Sequence, residues 1–427
     1  MKKIFPYQQI GIIGGGQLGR MMCIAAKAMG YRVAVLDPTP NCPCGQVADV
    51  EITAEYNDLS AIKKLAEISD VITYEFENID IDALSWLKEN AYLPQGSEVL
   101  KITRHRYLEK STISAMDIPV ADFARAKRGV GTGDMCPLRH IPSQPDTVCG
   151  ADFARAKRGV GTGDMCSPRH IPSQPDTAYA PVFREIPLEN MTVPCVIKTT
   201  TGGYDGKGQI VLRSEADMPA ARELAAAHEC IVEKFMPFSK EISVIVARST
   251  TGEVSTFPVA ENIHVNNILH QSIVPARISP ELEREAIECA KKIAANLGAV
   301  GVIGIEMFVV DDKIVVNELA PRPHNSGHYT IDACVTSQFE QHVRAICGLP
   351  LGDPSLHTPA VMVNILGDHL NCTDLSDLAP YLPLLPNGKL HLYGKAEGKT
   401  GRKMGHISML GDVEETLAAV GATGIWT

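Results

Sequence analysis

Along this chain the apolar positions fall into short blocks whose spacing switches between the strand period and the helix period. Residues 10–13 are a short apolar strand that runs into Gly14-Gly15-Gly16-Gln17-Leu18-Gly19. Residues 20–29 then carry the helical period, and residues 32–36 form a second strand closing on Asp37. This order predicts the opening unit of a doubly wound α/β sheet, with backbone amides and a helix N-terminus set to meet an anion. A strand over residues 70–76 ends in Tyr74-Glu75-Phe76-Glu77-Asn78. A carboxylate there either points into the ligand crevice or caps the next helix. Residues 193–198 and 209–212 read as strands flanking the tip Thr199-Thr200-Thr201-Gly202-Gly203-Tyr204-Asp205-Gly206-Lys207-Gly208. Two more strands, residues 230–238 and 241–247, bring Glu233 and Glu241 toward one crevice. Ser279-Pro280 starts a scaffold helix with Ile287, Ala290, Ile293, Ala294 and Leu297 on one face, which stops at Gly298.

The richest chemistry follows. Residues 304–310 and 314–319 are apolar and β-branched, with Asp311-Asp312-Lys313 as the connection, which predicts a β-hairpin. A three-residue connection places Glu306 opposite Glu318. Facing like charges destabilise a strand pair unless a cation lies between them, and carboxylate oxygens are the ligands Mg²⁺ takes. A register one residue away sends the same carboxylates to opposite faces as solvated charges, so the hairpin alone leaves both arrangements open. Directly after Glu318 come Arg322, His324, Asn325 and His328 in Leu-Ala-Pro-Arg-Pro-His-Asn-Ser-Gly-His. In the glycine-rich tip, hydroxyls and amide donors lie between Lys198 and Lys207, and this favours a lid folding over a polyphosphate rather than an ordinary hairpin. His264 sits among polar neighbours and by itself reads as a surface or satisfied histidine rather than a catalytic one. The first glycine run is a weak signal, and a dinucleotide reading that places Asp37 on a ribose stays open.

The 427 residues exceed one core and predict two or three domains. A net charge of -10 with pI near 5.7 argues against a general nucleic-acid binder, so any anionic substrate is held locally. Twelve cysteines lie scattered without C-x-x-C spacing, suggesting neither a zinc site nor a disulfide framework; Cys42 and Cys44 read as loop thiols. No secretion pattern opens the chain and no segment approaches a membrane span, which predicts a reduced, soluble, cytoplasmic protein. Residues 121–150 and 151–180 match at 25 of 30 positions, a tandem repeat of Ala-Asp-Phe-Ala-Arg-Ala-Lys-Arg-Gly-Val-Gly-Thr-Gly-Asp-Met-Cys. Two copies with little apolar periodicity read as a loose surface insertion, and no strand precedes Gly129, Gly131 and Gly133 to make them a phosphate loop.

Taken together, the opening glycine loop, the Lys198 to Gly208 tip and Asn317-Glu318-Leu319-Ala320-Pro321-Arg322-Pro323-His324-Asn325-Ser326-Gly327-His328 resemble the ATP-grasp enzymes. Within them the resemblance is closest to the 5-(carboxyamino)imidazole ribonucleotide synthetases of purine biosynthesis, over residues 8–120 and 181–427. It implies a mixed α/β and α+β fold: a Rossmann-like pre-ATP-grasp domain (1–105), a linker helix and lid (106–236) containing the 121–180 insertion, and a C-terminal ATP-grasp domain (237–427). The implied reaction joins bicarbonate to the amine of aminoimidazole ribonucleotide through carboxyphosphate, with ATP and Mg²⁺ as cofactors. By resemblance Glu306 and Glu318 hold the metal, while Arg322 and His324, with Asn325 nearby, hold bicarbonate. Arg106, Lys198, Tyr204, Lys207, Gly208, Glu233, Glu241 and His264 face ATP. Gly16, Gln17, Leu18, Glu75, Lys395, Arg402 and Lys403 face the ribonucleotide, and Asp205 is the candidate for its amine. The resemblance also implies a homodimer, with no nucleic-acid or membrane partner. The repeat departs from the family where the lid begins, and Asn267 stands where relatives often carry Gly. The competing readings are a formate-using ATP-grasp ligase, a nicotinamide-dependent oxidoreductase and a non-catalytic nucleotide-binding protein.

Overall fold

The computed structural model describes residues 2–127, 185–203, 206–370 and 375–424. Its strands build three sheets. The first is parallel, in the order Val50–Thr53, Arg32–Asp37, Gln9–Ile13, Val71–Tyr74. The helix Gln17–Ala28 begins three residues before the periodicity does, because Gly16 acts as N-cap and the Glu75 carboxylate accepts from the amides of Gly16 and Gly19.

A five-stranded sheet follows, in the order Glu185–Pro187, Phe123–Lys127, Cys230–Lys234, Cys195–Thr199, Gln209–Leu212. Two expected strands are shorter here: Pro194 has no N–H to give a ladder, and the strand from Cys230 stops before Pro237. Phe123–Lys127 corrects the reading of the repeat as wholly outside the fold. This opening stretch of the first copy pairs with Cys230–Lys234 on one side and Glu185–Pro187 on the other. Residues 128–180 lie outside the described residues.

The third sheet has nine strands and begins at Lys240–Arg248. Its main path runs Lys313–Ala320, Gly301–Val310, Lys240–Arg248, Ala260–Val265, Ile268–Val274, Ala360–Leu366, Lys403–Leu410, Gly388–Leu392, all antiparallel. The helix Pro280–Leu297 covers one face. Its N-cap Ser279 accepts from the Leu282 amide, and Gly298 ends it in the left-handed region at φ 62°. Leu282, Ala286, Ala290 and Ile293 pack on Val244, Val246, Ile303, Ile305 and Val316. Burying each such aliphatic side chain stabilises by about 1.5–3 kcal/mol.

The first and third sheets share a seam. Phe339, Val343 and Ile346, on the helix Gln338–Ile346, bury against Ile10, Ile12 and Met22. A polar chain crosses the same seam. His342 Nδ1 accepts from the Val302 amide at 3.1 Å, which leaves Nε2 to donate to Thr73 Oγ1 at 2.8 Å. The Thr73 hydroxyl donates to Gln95 Oε1 at 2.7 Å, and Gln95 Nε2 donates to the Pro321 carbonyl at 2.8 Å. The residue before Arg322 is thus tied to the parallel sheet. No helix among the described residues is long and apolar enough to cross a membrane.

Candidate active site

Glu306 and Glu318 do face each other, by a different route from the expected three-residue connection. The turn is Asp311 and Asp312 alone, both at positive φ (48° and 55°), the backbone of a two-residue hairpin turn. Pairing from Val310↔Lys313 to Met307↔Val316, continued unchanged, would set Asn317 opposite Glu306 and turn Glu318 to the other face. Instead the register shifts between Glu306 and Met307, so Asn317 becomes the extra residue of a bulge and Glu318 comes opposite Glu306. Burial, and then the charge of Glu318, push the Glu306 carboxyl up to about 7.

His324 Nε2 lies 3.4 Å from Glu306 Oε1, and its Nδ1 lies 2.9 Å from Ser326 Oγ. Gly304 makes room for this ring, since a Cβ there would fall 2.6 Å from His324 Cβ. Burial, then the cations Arg322 and Lys403, hold the His324 imidazole well below its ordinary value, so it is neutral at physiological pH. Arg322 Nε lies 3.0 Å from Glu77 Oε1, and Asn325 Nδ2 donates to Asn364 Oδ1 at 3.0 Å.

Across from the acid pair stands the helix Arg106–Ser114, capped by His105. Arg106 Nη1 lies 3.2 Å from Glu318 Oε2 and its Nη2 donates to the Gly203 carbonyl at 2.9 Å, so one guanidinium spans the acid pair and the glycine-rich tip. Lys198 Nζ reaches Glu233 Oε2 at 2.9 Å, while Lys110 Nζ lies 3.4 Å from Glu233 Oε1. Burial alone would raise the Glu233 carboxyl, but Lys110 and Lys198 outweigh it and hold it at about 2. Glu241 Oε2 lies 3.0 Å from His264 Nδ1; burial would lower this imidazole, but Glu241 together with Glu306 outweighs it and raises it above its usual value. The tip closes where the Thr199 amide donates to the Gly208 carbonyl at 2.8 Å, with Gly208 at φ 72° and Lys207 exposed. Tyr204 and Asp205 lie outside the described residues.

On the third side, Glu75 occupies the anion seat at the start of the helix Gln17–Ala28, with the Gly19 amide donating to Oε2 at 2.5 Å. Asp37 Oδ2 accepts from the Gly15 amide and from the Tyr56 hydroxyl, each at 2.7 Å. A pyrophosphate and a ribose would need these two seats, so the nicotinamide reading loses both of its anchors. Gln17 is partly exposed beside the seat and Leu18 is buried. Gln46 Nε2 donates to the Gly394 carbonyl at 2.8 Å, docking the Tyr393–Lys395 segment beside the loop after Asp37. Lys395 Nζ donates to the Lys403 carbonyl at 2.6 Å. Lys403 acts electrostatically on Glu306, His264 and His324, whereas its neighbour Arg402 is exposed and donates to the Glu397 carbonyl at 3.0 Å.

The structure therefore gathers Glu306, Glu318, His324, Arg106, Glu241, His264 and Lys403 around one acidic centre, with Lys198 and Glu233 on the lid side. Two residues that the motifs did not single out belong to the same wall, Glu109 and Lys110. They follow Arg106 at i+3 and i+4, and Ile113 on the same stretch is fully buried, so a charged pair on an inward helical face was the available signal.

Comparison with known proteins matches three descriptions in chain order: a ribonucleotide synthetase preATP-grasp domain over residues 7–104, an ATP-grasp domain over 181–339 and a phosphoribosylaminoimidazole carboxylase C-terminal domain over 360–420. The N5-carboxyaminoimidazole ribonucleotide synthase of Bacillus subtilis (strain 168) is 49% identical over 413 residues, 96% of this chain and 94% of that protein. That of Staphylococcus aureus (strain COL) is 38% identical over 410 residues, 95% of this chain and 94% of the relative. A crystal structure of an N5-carboxyaminoimidazole ribonucleotide synthetase as its ADP complex superposes with TM-score 0.83 at 50% identity, covering 100% of this chain and 98% of the other. The Aspergillus clavatus synthase, solved with ADP and 5-aminoimidazole ribonucleotide, gives TM-score 0.77 at 27% identity over 98% of each chain.

Proposed function

The chain belongs to the N5-carboxyaminoimidazole ribonucleotide synthase family of ATP-grasp ligases, and on that footing we propose how its residues carry the reaction. The reaction in this reading is the ATP-dependent joining of bicarbonate to the amine of aminoimidazole ribonucleotide, giving ADP and phosphate; the names of the relatives and the Aspergillus clavatus complex with ADP and 5-aminoimidazole ribonucleotide support it. The observation that carries the site assignment is the Glu306–Glu318 opposition with His324 and Arg106 against its two sides.

Two facing carboxylates suit a hard cation, and burial with the charge of Glu318 opposite already disfavours the ionised Glu306, a penalty that a cation would relieve. Among the described residues no group of three or more His, Cys, Asp or Glu is arranged to hold a metal, so the remaining ligands would be phosphate oxygens and water. Mg²⁺ bound there would neutralise charge on the transferred phosphoryl group. Arg106 can exchange Glu318 for a phosphate oxygen, and Lys198, Lys207 and the tip amides can cradle the rest of the triphosphate. Arg322 offers a planar N–H fork that matches two oxygens of bicarbonate, which a lysine could not reproduce. His324, kept neutral with its Nδ1 accepting from the Ser326 amide, carries its proton on Nε2 and can donate a hydrogen bond to bicarbonate without adding charge. Lys395 and Lys403, with the Gly16–Leu18 loop, supply the side toward the ribonucleotide. Asp205 is the residue proposed to meet its amine. The assembly is proposed to be a homodimer, testable by sedimentation equilibrium, and the compartment cytoplasmic.

The decisive assay is ADP release from Mg·ATP, measured with bicarbonate and aminoimidazole ribonucleotide each withheld in turn and with formate substituted for bicarbonate. Release should need both substrates, formate should not serve, and NAD should not bind. Turnover that ignores bicarbonate, or that accepts formate equally well, overturns the reading. Deleting one 30-residue unit, residues 128–157, keeps Phe123–Lys127 and tests whether the duplication limits the rate.

A further inference from the structure

We propose that Glu109 and Lys110 are positioning residues, which hold the bulge at Asn317 and so fix Glu318 on the same face as Glu306. The inference rests on the reading of that pair as the metal seat. A bulge leaves the backbone of its extra residue without a ladder partner, and an unclamped strand can slip back into plain register. Here two backbone groups at the bulge, the Asn317 carbonyl and the Leu319 amide, are taken by one helix. Lys110 Nζ donates to the Asn317 carbonyl at 3.1 Å, and the Leu319 amide donates to Glu109 Oε1 at 2.8 Å. Between these two anchors, Arg106 Nη1 meets the Glu318 carboxylate itself at 3.2 Å. Arg106, Glu109 and Lys110 stand at i, i+3 and i+4, so a single helical face reads three consecutive residues of the strand. Upstream the Val316 amide donates to the Pro119 carbonyl at 2.8 Å, which fixes the strand just before the bulge.

The burial of the two clamps argues against a purely stabilising role. Glu109 and Lys110 are each only 2% exposed, and burying ionisable groups rarely stabilises a fold better than apolar side chains of similar volume. What this polar pair provides here and an apolar pair cannot is one acceptor and one donor aimed at named backbone atoms. Lys110 also links the bulge to Glu233, at 3.4 Å, so the register of the acid strand and the lid-side carboxylate share one ammonium group.

The test uses the full chain and Mn²⁺ with ADP as probe, reading the Mn²⁺ dissociation constant by electron paramagnetic resonance and the fold by circular dichroism. Lys110→Met should weaken Mn²⁺ binding about 10- to 100-fold, the usual cost of losing a residue that orients a metal ligand. In the Glu318→Ala background the same change should add less than about twofold, because the clamp acts through Glu318. Glu109→Leu should weaken binding like Lys110→Met, whereas Glu109→Gln, whose amide oxygen still accepts from Leu319, should stay within about threefold of the parent. A folded Lys110→Met that binds Mn²⁺ like the parent, a full additive loss in the Glu318→Ala background, or equal losses in Glu109→Gln and Glu109→Leu each overturn the inference. If Lys110→Met does not fold, the Glu109 pair decides alone. Should Glu318→Ala and Glu306→Ala bind Mn²⁺·ADP as the parent does, it is the metal reading that fails, a distinct outcome.

Discussion

Replacing Glu318 with Gln keeps the side-chain shape and removes one of two charges that repel each other in the ligand-free protein. Burial and Glu318 together move the Glu306 carboxyl from 4.5 to about 7. A displacement of that size sets about 3 kcal/mol against the ionised form. Burial is the larger cause, so the charge of Glu318 accounts for roughly 1 kcal/mol of it. Glu109, pushed up to about 8 by burial and then by Glu318, is relieved by the same change. Against this stands the ion pair with Arg106 at 3.2 Å, but Glu318 is 42% exposed there, and such a pair stabilises by at most about 1 kcal/mol. Arg106 also keeps Glu109 and Glu233 as neighbouring counter-charges. The ligand-free variant should therefore be more stable than the parent by up to about 1 kcal/mol near pH 7.5, a rise in Tm of up to about 1 °C. With Mg²⁺ and ADP at about one hundred times their dissociation constant the parent gains about 2.7 kcal/mol, and the variant, lacking half the acid pair, gains little. The order of the two melting temperatures should reverse. Thermal melts of both proteins, with and without Mg²⁺·ADP, measure this directly. A ligand-free variant melting several degrees below the parent would show that the two acids are not under like-charge strain, and full stabilisation of the variant by Mg²⁺·ADP would remove Glu318 from the metal seat.

Three further outcomes are expected. Glu75→Ala leaves the Gly16 and Gly19 amides unpaired at the start of a buried helix, a loss of about 2–4 kcal/mol; Glu75→Gln, which keeps one acceptor oxygen, should lose less, as read from urea midpoints. Arg322→Lys should raise the KM for bicarbonate at least tenfold and leave the KM for ATP within a factor of about two, since only the fork toward the small anion is lost; a parallel rise in both would assign Arg322 to the nucleotide instead. Burial holds His342 down to about 3, below its value in the unfolded chain, so its contribution to stability is full above pH 6.5 and is lost as the pH falls toward 3. At pH 5 that loss is about 2 kcal/mol. The His342→Asn variant should lose less stability than the parent between pH 7.5 and 5, and equally steep losses in the two would contradict the assignment.

Much of the site was legible before any coordinates. Glu318 with the Arg-Pro-His-Asn run, and separately the glycine-rich tip, are each local in sequence, and residues that act together over about ten positions announce themselves as a motif. The helix Pro280–Leu297 and the Gly298 stop were readable for a similar reason, since caps and periodicity are local properties. Glu75 was harder. Its place at the end of a strand was foreseeable, yet only the folded sheet decides that its carboxylate turns onto the Gly16 and Gly19 amides and fills the seat a dinucleotide would use.

The sequence by itself, read with the family resemblance its motifs carry, determined which groups are candidates for the centre: two acids, an arginine, an imidazole and a lysine-bearing loop. Tertiary structure alone decided that the two acids meet. A two-residue turn gives a register that would part them, and one extra residue, Asn317, restores their opposition. That bulge is held from a helix two hundred residues away in the chain, where Glu109 and Lys110 meet backbone atoms that no local pattern encodes. The physical reason is that strand register is fixed by whatever satisfies the unpaired backbone groups, and those partners arrive only when distant segments pack together.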